Sequence, residues 1–265
     1  ALNYYVKAVE QLHKANDVMV LASINGNIGN IYLDQGELEK ALDYYTIGLE
    51  ASKKAKNNRI IAMLSNSVGV AYDRLGNDSL SFHYFKSAWK ASKEINNLEI
   101  TLITLSNLGE SYSDLGMYDS ATFYLNIALK KSDELDALEA QTDALLSMGK
   151  VLLNHGFFSK AVSYLQEAVG LAIATNQASK ISESYEFLSL VSECLGDYKN
   201  ALKYERQFKY YADSLENIQQ ENNIKLVQAQ FEFENEQEKA SAQINQLTTE
   251  NEIQNLRLRE RNLFI

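Results

Sequence analysis

Apolar and small residues recur along the chain at a fixed interval of forty positions. Nine of the twelve glycines follow this interval in two series. The first series is Gly29, Gly69, Gly109 and Gly149, and the second is Gly36, Gly76, Gly116, Gly156 and Gly196. A large apolar residue keeps the same interval at Tyr45, Phe85, Leu125 and Leu165. A constant period of this length predicts a stack of similar structural units.

Each forty-residue unit is predicted to be a hairpin of two helices. Apolar residues such as Ile28 and Tyr32 recur at helical spacing in the first half of a unit. The second glycine, Gly36 in the first unit, predicts the end of that helix because glycine adopts the left-handed C-cap conformation at little cost. Asp78 and Asp119 are expected at or just after the start of the following helix, as N-caps or first-turn acids.

The first glycine of each unit falls inside a helix, where it costs about 1 kcal/mol relative to alanine. We interpret it as a point where two helices approach closely. The chain also contains no proline, the residue that breaks helix interiors. These two observations predict an all-α fold.

The unit resembles the tetratricopeptide repeat (TPR). Residues 27–45 carry the pattern N-x-G-N-x-Y-x-x-x-G-x-x-x-x-A-x-x-Y-Y. The resemblance implies a right-handed superhelix of hairpins, an α–α solenoid, in which the first helix of each hairpin lines a concave groove. The usual TPR period is 34 residues, so a period of forty implies about one extra turn in each helix.

Three segments are expected. Residues 1–16 match the second helix of a preceding hairpin, one period before Ala41. Residues 20–215 are predicted to form five hairpins. Residues 216–265 are predicted to form a long helix, because no glycine follows Gly196 and the composition shifts to Glu, Gln and Asn.

The last segment carries a heptad pattern, which predicts a coiled-coil homodimer. The predicted dimer seam consists of Leu215, Ile218, Asn222, Ile244, Leu247 and Asn251. Asparagine at a seam position can fix the register and the number of strands. The alternative is a solvated helix that folds back on the hairpins.

The chain ends with arginines before an apolar tripeptide. Arg257, Arg259 and Arg261 precede residues 263–265. Arginines favour a helix C-terminus, and they also occur next to membrane helices. The order of segments resembles a bacterial group in which a TPR sensor region precedes a membrane helix and a histidine-kinase or LuxR-type output. That resemblance implies the extracytoplasmic (periplasmic) face of the inner membrane, whereas the positive-inside rule favours the cytoplasm for these arginines.

The leading hypothesis is therefore a non-catalytic sensor region of a membrane-anchored signalling protein, which binds a protein or peptide and relays binding through a dimeric coiled coil. The alternative is a soluble cytoplasmic scaffold or peptide-pheromone receptor. The net charge of −10 argues against direct nucleic-acid binding. The three histidines lie in different units and the only cysteine is Cys194, so we expect no metal, no cofactor and no enzymatic activity.

The TPR resemblance places partner binding on the first helices of the hairpins. The predicted groove residues are Asn30, Asp34, Asn66, Asp73, Arg74, Glu110, Asp114, Lys150 and Glu186. Over all groove positions, which also include Asp143, Glu183 and Glu193, eight acids face two bases. This predicts a groove suited to polar or cationic peptides, with amides such as Asn30 bonding the peptide backbone. The alternative is an ordinary solvated face of an acidic protein.

Overall fold

The computed structural model describes residues 18–218 and residue 220. Within residues 18–194 the chain forms nine helices of 17 residues each. They are α1 (Val18–Asp34), α2 (Leu38–Lys54), α3 (Asn58–Arg74), α4 (Asp78–Glu94), α5 (Leu98–Asp114), α6 (Tyr118–Glu134), α7 (Leu138–Asn154), α8 (Phe158–Ala174) and α9 (Ala178–Cys194). Residues 198–218 are helical as well and are called α10. The described residues contain no strand, which confirms the all-α prediction for this part of the chain.

Two predicted segments fall outside this description. Residues 1–16, expected to belong to a preceding hairpin, are not among the described residues. The same holds for the seam positions Asn222, Ile244, Leu247 and Asn251. Of the predicted seam, only Leu215 and Ile218 are described, and both are helical.

The odd-numbered helices end as the glycine pattern predicts. Gly36 lies just after α1 with a φ of 76°, in the left-handed region that glycine adopts without strain. Its N–H donates to the Leu33 carbonyl (3.1 Å), and the N–H of Glu37 donates to the Tyr32 carbonyl (2.9 Å). This Schellman arrangement satisfies carbonyls that the helix end leaves free. The second glycine of each later hairpin adopts the same conformation, with φ between 70° and 79°.

The even-numbered helices end without glycine. Lys56, Asn96, Asp136 and Asn176 occupy the left-handed position, with φ between 49° and 56°. The next residue often caps the following helix: the Asn57 side chain accepts from the Ile60 N–H (3.2 Å), and Asn97 accepts from Ile100 (2.9 Å). The neighbouring asparagines therefore mark the turns between hairpins.

Asp78 and Asp119, predicted as N-caps or first-turn acids, are first-turn acids in the structure. Asn77, and not Asp78, is the N-cap of α4, and it accepts from the Leu80 N–H at 3.1 Å. Asp78 and Asp119 lie in the first turns of their helices, where negative charge favours the helix dipole. At the start of α6 the N-cap position is held by Met117, which makes no side-chain cap.

The two helices of a hairpin meet where the first glycine series lies. A Cβ on Gly109 would come within 2.6 Å of Leu125 Cγ. The same pairing recurs between Gly29 and Tyr45, between Gly69 and Phe85, and between Gly149 and Leu165. The large partners are fully or almost fully buried. In the fifth hairpin Ser189 replaces glycine, and its hydroxyl donates to the Ala201 carbonyl at 3.0 Å.

Stacked tyrosines also connect the two helices in each of the first three hairpins. The ring pairs are Tyr32 with Tyr44, Tyr72 with Tyr84, and Tyr112 with Tyr124, with centroids 5.2–5.6 Å apart. Each pair joins the two helices of one hairpin. Offset-stacked rings at this distance contribute about 0.5–1.5 kcal/mol beyond their buried area.

The odd-numbered helices form the inner layer of residues 18–215. Each of α1, α3, α5 and α7 contacts the next odd-numbered helix, whereas α2, α4, α6 and α8 do not approach one another this closely. A layer whose members lie closer together becomes the concave side of the stack. The groove is therefore lined by the first helix of each hairpin.

Replacing Gly109 with alanine tests the helix contact. The new Cβ would meet Leu125 Cγ at 2.6 Å and the Ala121 carbonyl oxygen at 3.3 Å. We expect a net loss of about 1–2 kcal/mol in the free energy of unfolding, since overpacking outweighs the ~1 kcal/mol that alanine adds as a better helix former.

Gly170→Ala is the matched control for this measurement. Gly170 lies inside α8, and nothing is within 4 Å of an added Cβ. This substitution should therefore raise the free energy of unfolding. Urea denaturation measures both variants, and a Gly109→Ala protein as stable as Gly170→Ala would refute the packing explanation.

Candidate partner-binding groove

A cavity of about 320 Å³ lies in the groove. Its walls come from α3, α5, α7 and α9, and Phe85 of α4 contributes at its base. The charged lining residues are Asp73, Arg74, Glu110, Asp143, Lys150, Lys180 and Glu183. The volume falls at the lower end of the range that small-molecule and side-chain pockets occupy, ~300–1,000 Å³.

One wall of the cavity, called the far wall, consists of an ion-pair network across three helices. Its members are Glu110, Asp143, Lys150, Lys180 and Glu183. Lys150 Nζ lies 2.6 Å from Glu110 Oε2 and 3.4 Å from Glu183 Oε1. Lys180 Nζ lies 2.8 Å from Asp143 Oδ1 and 3.6 Å from Glu183 Oε2. Each side chain is between 23% and 33% exposed, so these pairs are screened less than surface pairs. The network joins α5, α7 and α9.

Both lysines of the network stay charged. Burial lowers the pKa of Lys150, but Glu110 and Glu183 outweigh this effect and raise it above its ordinary value. The same balance, with Asp143 as the main partner, raises the pKa of Lys180. Ser147 adds a hydroxyl that donates to Glu110 Oε1. These groups hold one another and leave no free cation on this wall.

The near wall of the cavity, formed by Val70, Asp73 and Arg74 of α3, carries a carboxylate without such a partner, and Asp114 of α5 lies outside the cavity. Neither Asp73 nor Asp114 forms an ion pair within residues 18–218. Both are open to solvent on one side, but the concave walls still remove part of their water. This desolvation, reinforced by Asp73 and Glu110, raises the pKa of Asp114 to about 6. Desolvation and then Glu110 also raise the pKa of Asp73.

Several predicted groove residues are engaged in structural contacts. Asn30 accepts a hydrogen bond from the Tyr45 hydroxyl (2.7 Å), a buried phenol whose pKa burial raises to about 12. Arg74 Nη1 donates to the Leu33 carbonyl of the preceding hairpin (3.1 Å). Asn66 Oδ1 accepts from Asn107 Nδ2 (2.8 Å), which links α3 to α5.

The structure brings together only part of the predicted set. Asp73, Arg74, Glu110 and Lys150 line the cavity, and Asn66 is one hydrogen bond away. Asp114 does not line it, although the charges of Asp73 and Glu110 contribute to its raised pKa. Asn30 lines a separate pocket of about 120 Å³ between α1 and α3. Asp34 and Glu186 are exposed and line none of these cavities.

Six cavity residues escaped the sequence prediction of the groove. They are Phe85, Ile103, Ser106, Asn107, Ser147 and Lys180. The forty-residue interval would have found two of them, since Ser106 lies forty after Asn66 and Ile103 lies forty before Asp143. Lys180 carries no such signal, because the equivalent positions in the preceding hairpins hold Ala140 and Ile100.

Comparison with known families identifies the repeat. The model described as the SusR N-terminal TPR domain matches residues 89–260, and a tetratricopeptide repeat model matches residues 25–59. No curated protein matches the sequence.

Solved structures share the fold. BtubC (BKLC) from P. vanneervenii is 17% identical with a TM-score of 0.63, over 81% of this chain and 91% of that chain. A Rap protein complexed with competence and sporulation factor is 20% identical with a TM-score of 0.68, over 82% and 59%. The Rap conjugation gene regulator of the plasmid pLS20, in complex with a Phr peptide, is 18% identical with a TM-score of 0.67, over 77% and 56%. This chain thus spans a little over half of each Rap chain, and the likenesses confirm the α–α solenoid.

Asp114→Asn tests the electrostatics of the near wall. Because the folded-state pKa of about 6 lies above the ordinary 3.8, the ionised carboxylate opposes folding at neutral pH. The variant should therefore melt about 2 °C higher at pH 7.5, an effect kept small by solvent on the exposed side. The gain should shrink as the pH falls from 6 towards 3.8, where the folded and unfolded wild-type chains both become protonated.

Calorimetry across this pH range measures the effect. Glu186→Gln is the control, since Glu186 is an exposed groove carboxylate on α9, and it should shift the melting temperature little at any pH. An Asp114→Asn gain that is independent of pH would contradict the assignment.

Proposed function

We propose that residues 18–215 bind a protein or peptide along the groove formed by the odd-numbered helices. The premise is that this chain belongs to the SusR N-terminal TPR domain family. The proposal describes binding without chemistry. The residues that line the central cavity offer carboxylates, ammonium groups, hydroxyls and amides, and they include no His or Cys. Such groups orient a ligand by ion pairs and hydrogen bonds.

The cavity is the observation that carries this proposal. Four successive groove helices converge on it, so that one ligand could contact several hairpins at once. Its two walls differ in character: the far wall is held by the Lys150 and Lys180 ion pairs, and the near wall presents Asp73 without a partner. A groove with fixed walls and unpaired polar groups favours recognition of an extended, polar chain.

The fold shared with solved structures also supports peptide binding. The pLS20 Rap regulator has been solved with a Phr peptide, which is an example of this architecture holding a peptide. At 18% identity only the fold carries over, and the residues that would hold a ligand here are those of this chain's own cavity.

We further propose that the groove is the sensor part of a membrane-anchored signalling protein and that residues 216–265 relay binding as a dimeric coiled coil. The support is the heptad pattern of the predicted seam and the family match, which extends to residue 260. We place the groove on the extracytoplasmic side of the membrane. No helix in residues 18–218 has the length and apolar character that crossing a membrane requires.

A soluble cytoplasmic peptide receptor is the second candidate. The likeness to the Rap–Phr structure favours it. It shares the groove with the first candidate and differs from it in having no membrane helix.

Charge reversal in the groove tests peptide binding. Panning a random heptapeptide display library against the full chain should yield binders, and a fluorescent copy of one selected peptide then reports affinity by anisotropy. Replacing Asp73, Glu110 and Asp114 with arginine should weaken binding at least tenfold, because the new arginines would repel the cationic groups of the peptide that the carboxylates attract.

The control places the same charge change on the outer helices. Asp43 and Glu50 of α2 and Glu167 of α8 are exposed on even-numbered helices, and their replacement with arginine should leave affinity within about twofold. Equal losses in both triple variants would mean that the peptide binds by overall charge and not in the groove.

Light scattering tests the relay. The full chain should behave as a dimer, and Ile244→Asp with Leu247→Asp should convert it to a monomer, because a charge at a seam position opposes coiled-coil pairing. A wild-type chain that stays monomeric at high concentration would remove the dimeric coiled coil from the proposal.

A further inference from the structure

A second cavity, of about 290 Å³, lies on the outer side of the stack and is called the outer cavity. The outer helices α4 and α6 form its sides, and α5, against which both of them pack, forms its floor. The floor residues Leu98, Thr101 and Leu105 share one face of α5. Ile103 and Glu110, which line the central cavity, lie on the opposite face of the same helix. The outer cavity is therefore separate from the groove and is independent of the proposed function.

One end of the outer cavity is apolar. Trp89 of α4 and Ile127 of α6 pack against the core cluster that contains Leu105 of α5. Leu105 is 1% exposed, whereas Trp89 and Ile127 are half-buried. The edge contact of Trp89 with Tyr124, at 5.5 Å between ring centroids, holds the indole in place. These side chains offer a fixed apolar surface to a ligand.

Two lysines stand at the other end of the outer cavity. Lys93 follows Trp89 by four residues, and Lys131 follows Ile127 by four, so each lysine lies one helical turn beyond its apolar neighbour. Both α4 and α6 run antiparallel to α5, and both lysines are therefore displaced in the same direction. Lys93 Nζ lies 4.7 Å from the centre of the Trp89 ring, which brings an ammonium group directly to the edge of the apolar surface.

These two ammonium groups are not neutralised within residues 18–218. Neither lysine forms an ion pair there, and none of the residues that line the outer cavity is Asp or Glu. Two acids close to them in the sequence have other partners: Glu94 accepts from Asn58 Nδ2 (2.9 Å), and Glu134 pairs with Lys130 (3.8 Å). In a chain with a net charge of −10, this cavity offers positive charge beside an apolar surface.

The packing of the repeat does not require this pair of lysines. One period after Lys93 the chain carries Asp133, and one period before Lys131 it carries Ala91. The neighbouring hairpins stack without the pair, so that it belongs to this one junction. Departures from a structural pattern are expected where a chain binds something.

We infer that the outer cavity binds a small organic carboxylic acid. The carboxylate accepts charge-assisted hydrogen bonds from the ammonium groups of Lys93 and Lys131, whose long stems adjust to its position. The apolar body of the acid leaves water for the indole and aliphatic surface at the other end. The volume lies at the lower limit of ligand pockets, ~300–1,000 Å³, which favours a free acid over a segment of protein.

The intrinsic fluorescence of the full chain tests this site. Trp89 is the only tryptophan, so its emission reports on the outer cavity without a label. Octanoate is the probe, and octanamide is a neutral molecule of the same length. Octanoate should change the emission in a saturable way and bind at least tenfold more tightly than octanamide, because the amide gives the lysines no charge to pair with. Acetate, which lacks the apolar body, should have no effect at the same concentration.

A double variant assigns the charge to the two lysines. Lys93→Gln with Lys131→Gln should weaken octanoate binding about tenfold and leave octanamide binding unchanged. Calorimetry measures these affinities, since the loss of Lys93 also alters the surroundings of Trp89. The control is Lys53→Gln with Lys54→Gln, which makes the same charge change at exposed lysines in the last turn of α2 and should keep the affinity within about twofold.

Each contrary result has a distinct meaning. An emission that does not saturate with octanoate would overturn the site. Equal affinities for octanoate and octanamide, or equal losses in the two double variants, would overturn the role of the lysine pair. A leucine-rich pentapeptide with one central glutamate and blocked ends supplies the same chemistry from a protein, and tighter binding than that of octanoate would overturn the assignment to a free acid. None of these results bears on peptide binding in the groove.

Discussion

The whole structure depends on the close approach of two helices inside each hairpin. The absence of a side chain at Gly29, Gly69, Gly109 and Gly149 lets a large buried residue of the second helix press against the backbone of the first. This contact orients the first helix, because the glycine face must turn towards its partner. The residues on the opposite face are then turned towards the groove. Packing on one side of the helix thereby decides which polar side chains can meet a ligand on the other.

This division explains how much the sequence could predict. The contacts inside a hairpin repeat every forty residues, so the glycine series and its large partners were visible as a pattern. The caps were only partly visible, since a turn accepts several solutions: Asn97 caps its helix with a side-chain bond, whereas Met117 occupies the equivalent position without one. Local chemistry tolerates such variation when tertiary packing supplies most of a helix's stability.

The groove was less predictable because its contacts run between hairpins. Lys150 reaches Glu110 on the preceding groove helix and Glu183 on the following one, and no single-repeat pattern contains all three. Lys180 occurs once in the array and has no counterpart forty residues earlier, where Ala140 stands. Counting acids and bases along the sequence predicted an acidic groove but not its two unlike walls. Only the spatial pairing shows that the acids of the far wall are ion-paired with lysines and that Asp73 of the near wall is not.

The difference between the two walls of the cavity raises the question of why a stable array keeps Asp73 and Asp114 without ion-pair partners. The far wall shows that this groove can pair acids with lysines at suitable distances, whereas Asp73 forms no ion pair within residues 18–218 and feels Arg74 and Lys150 only as more distant charges. Asp114, with its pKa raised to about 6, opposes folding at neutral pH, and the buried hydroxyl of Ser106 in the cavity has no hydrogen-bond partner within the described residues. Local costs of this kind concentrate where a ligand completes the structure.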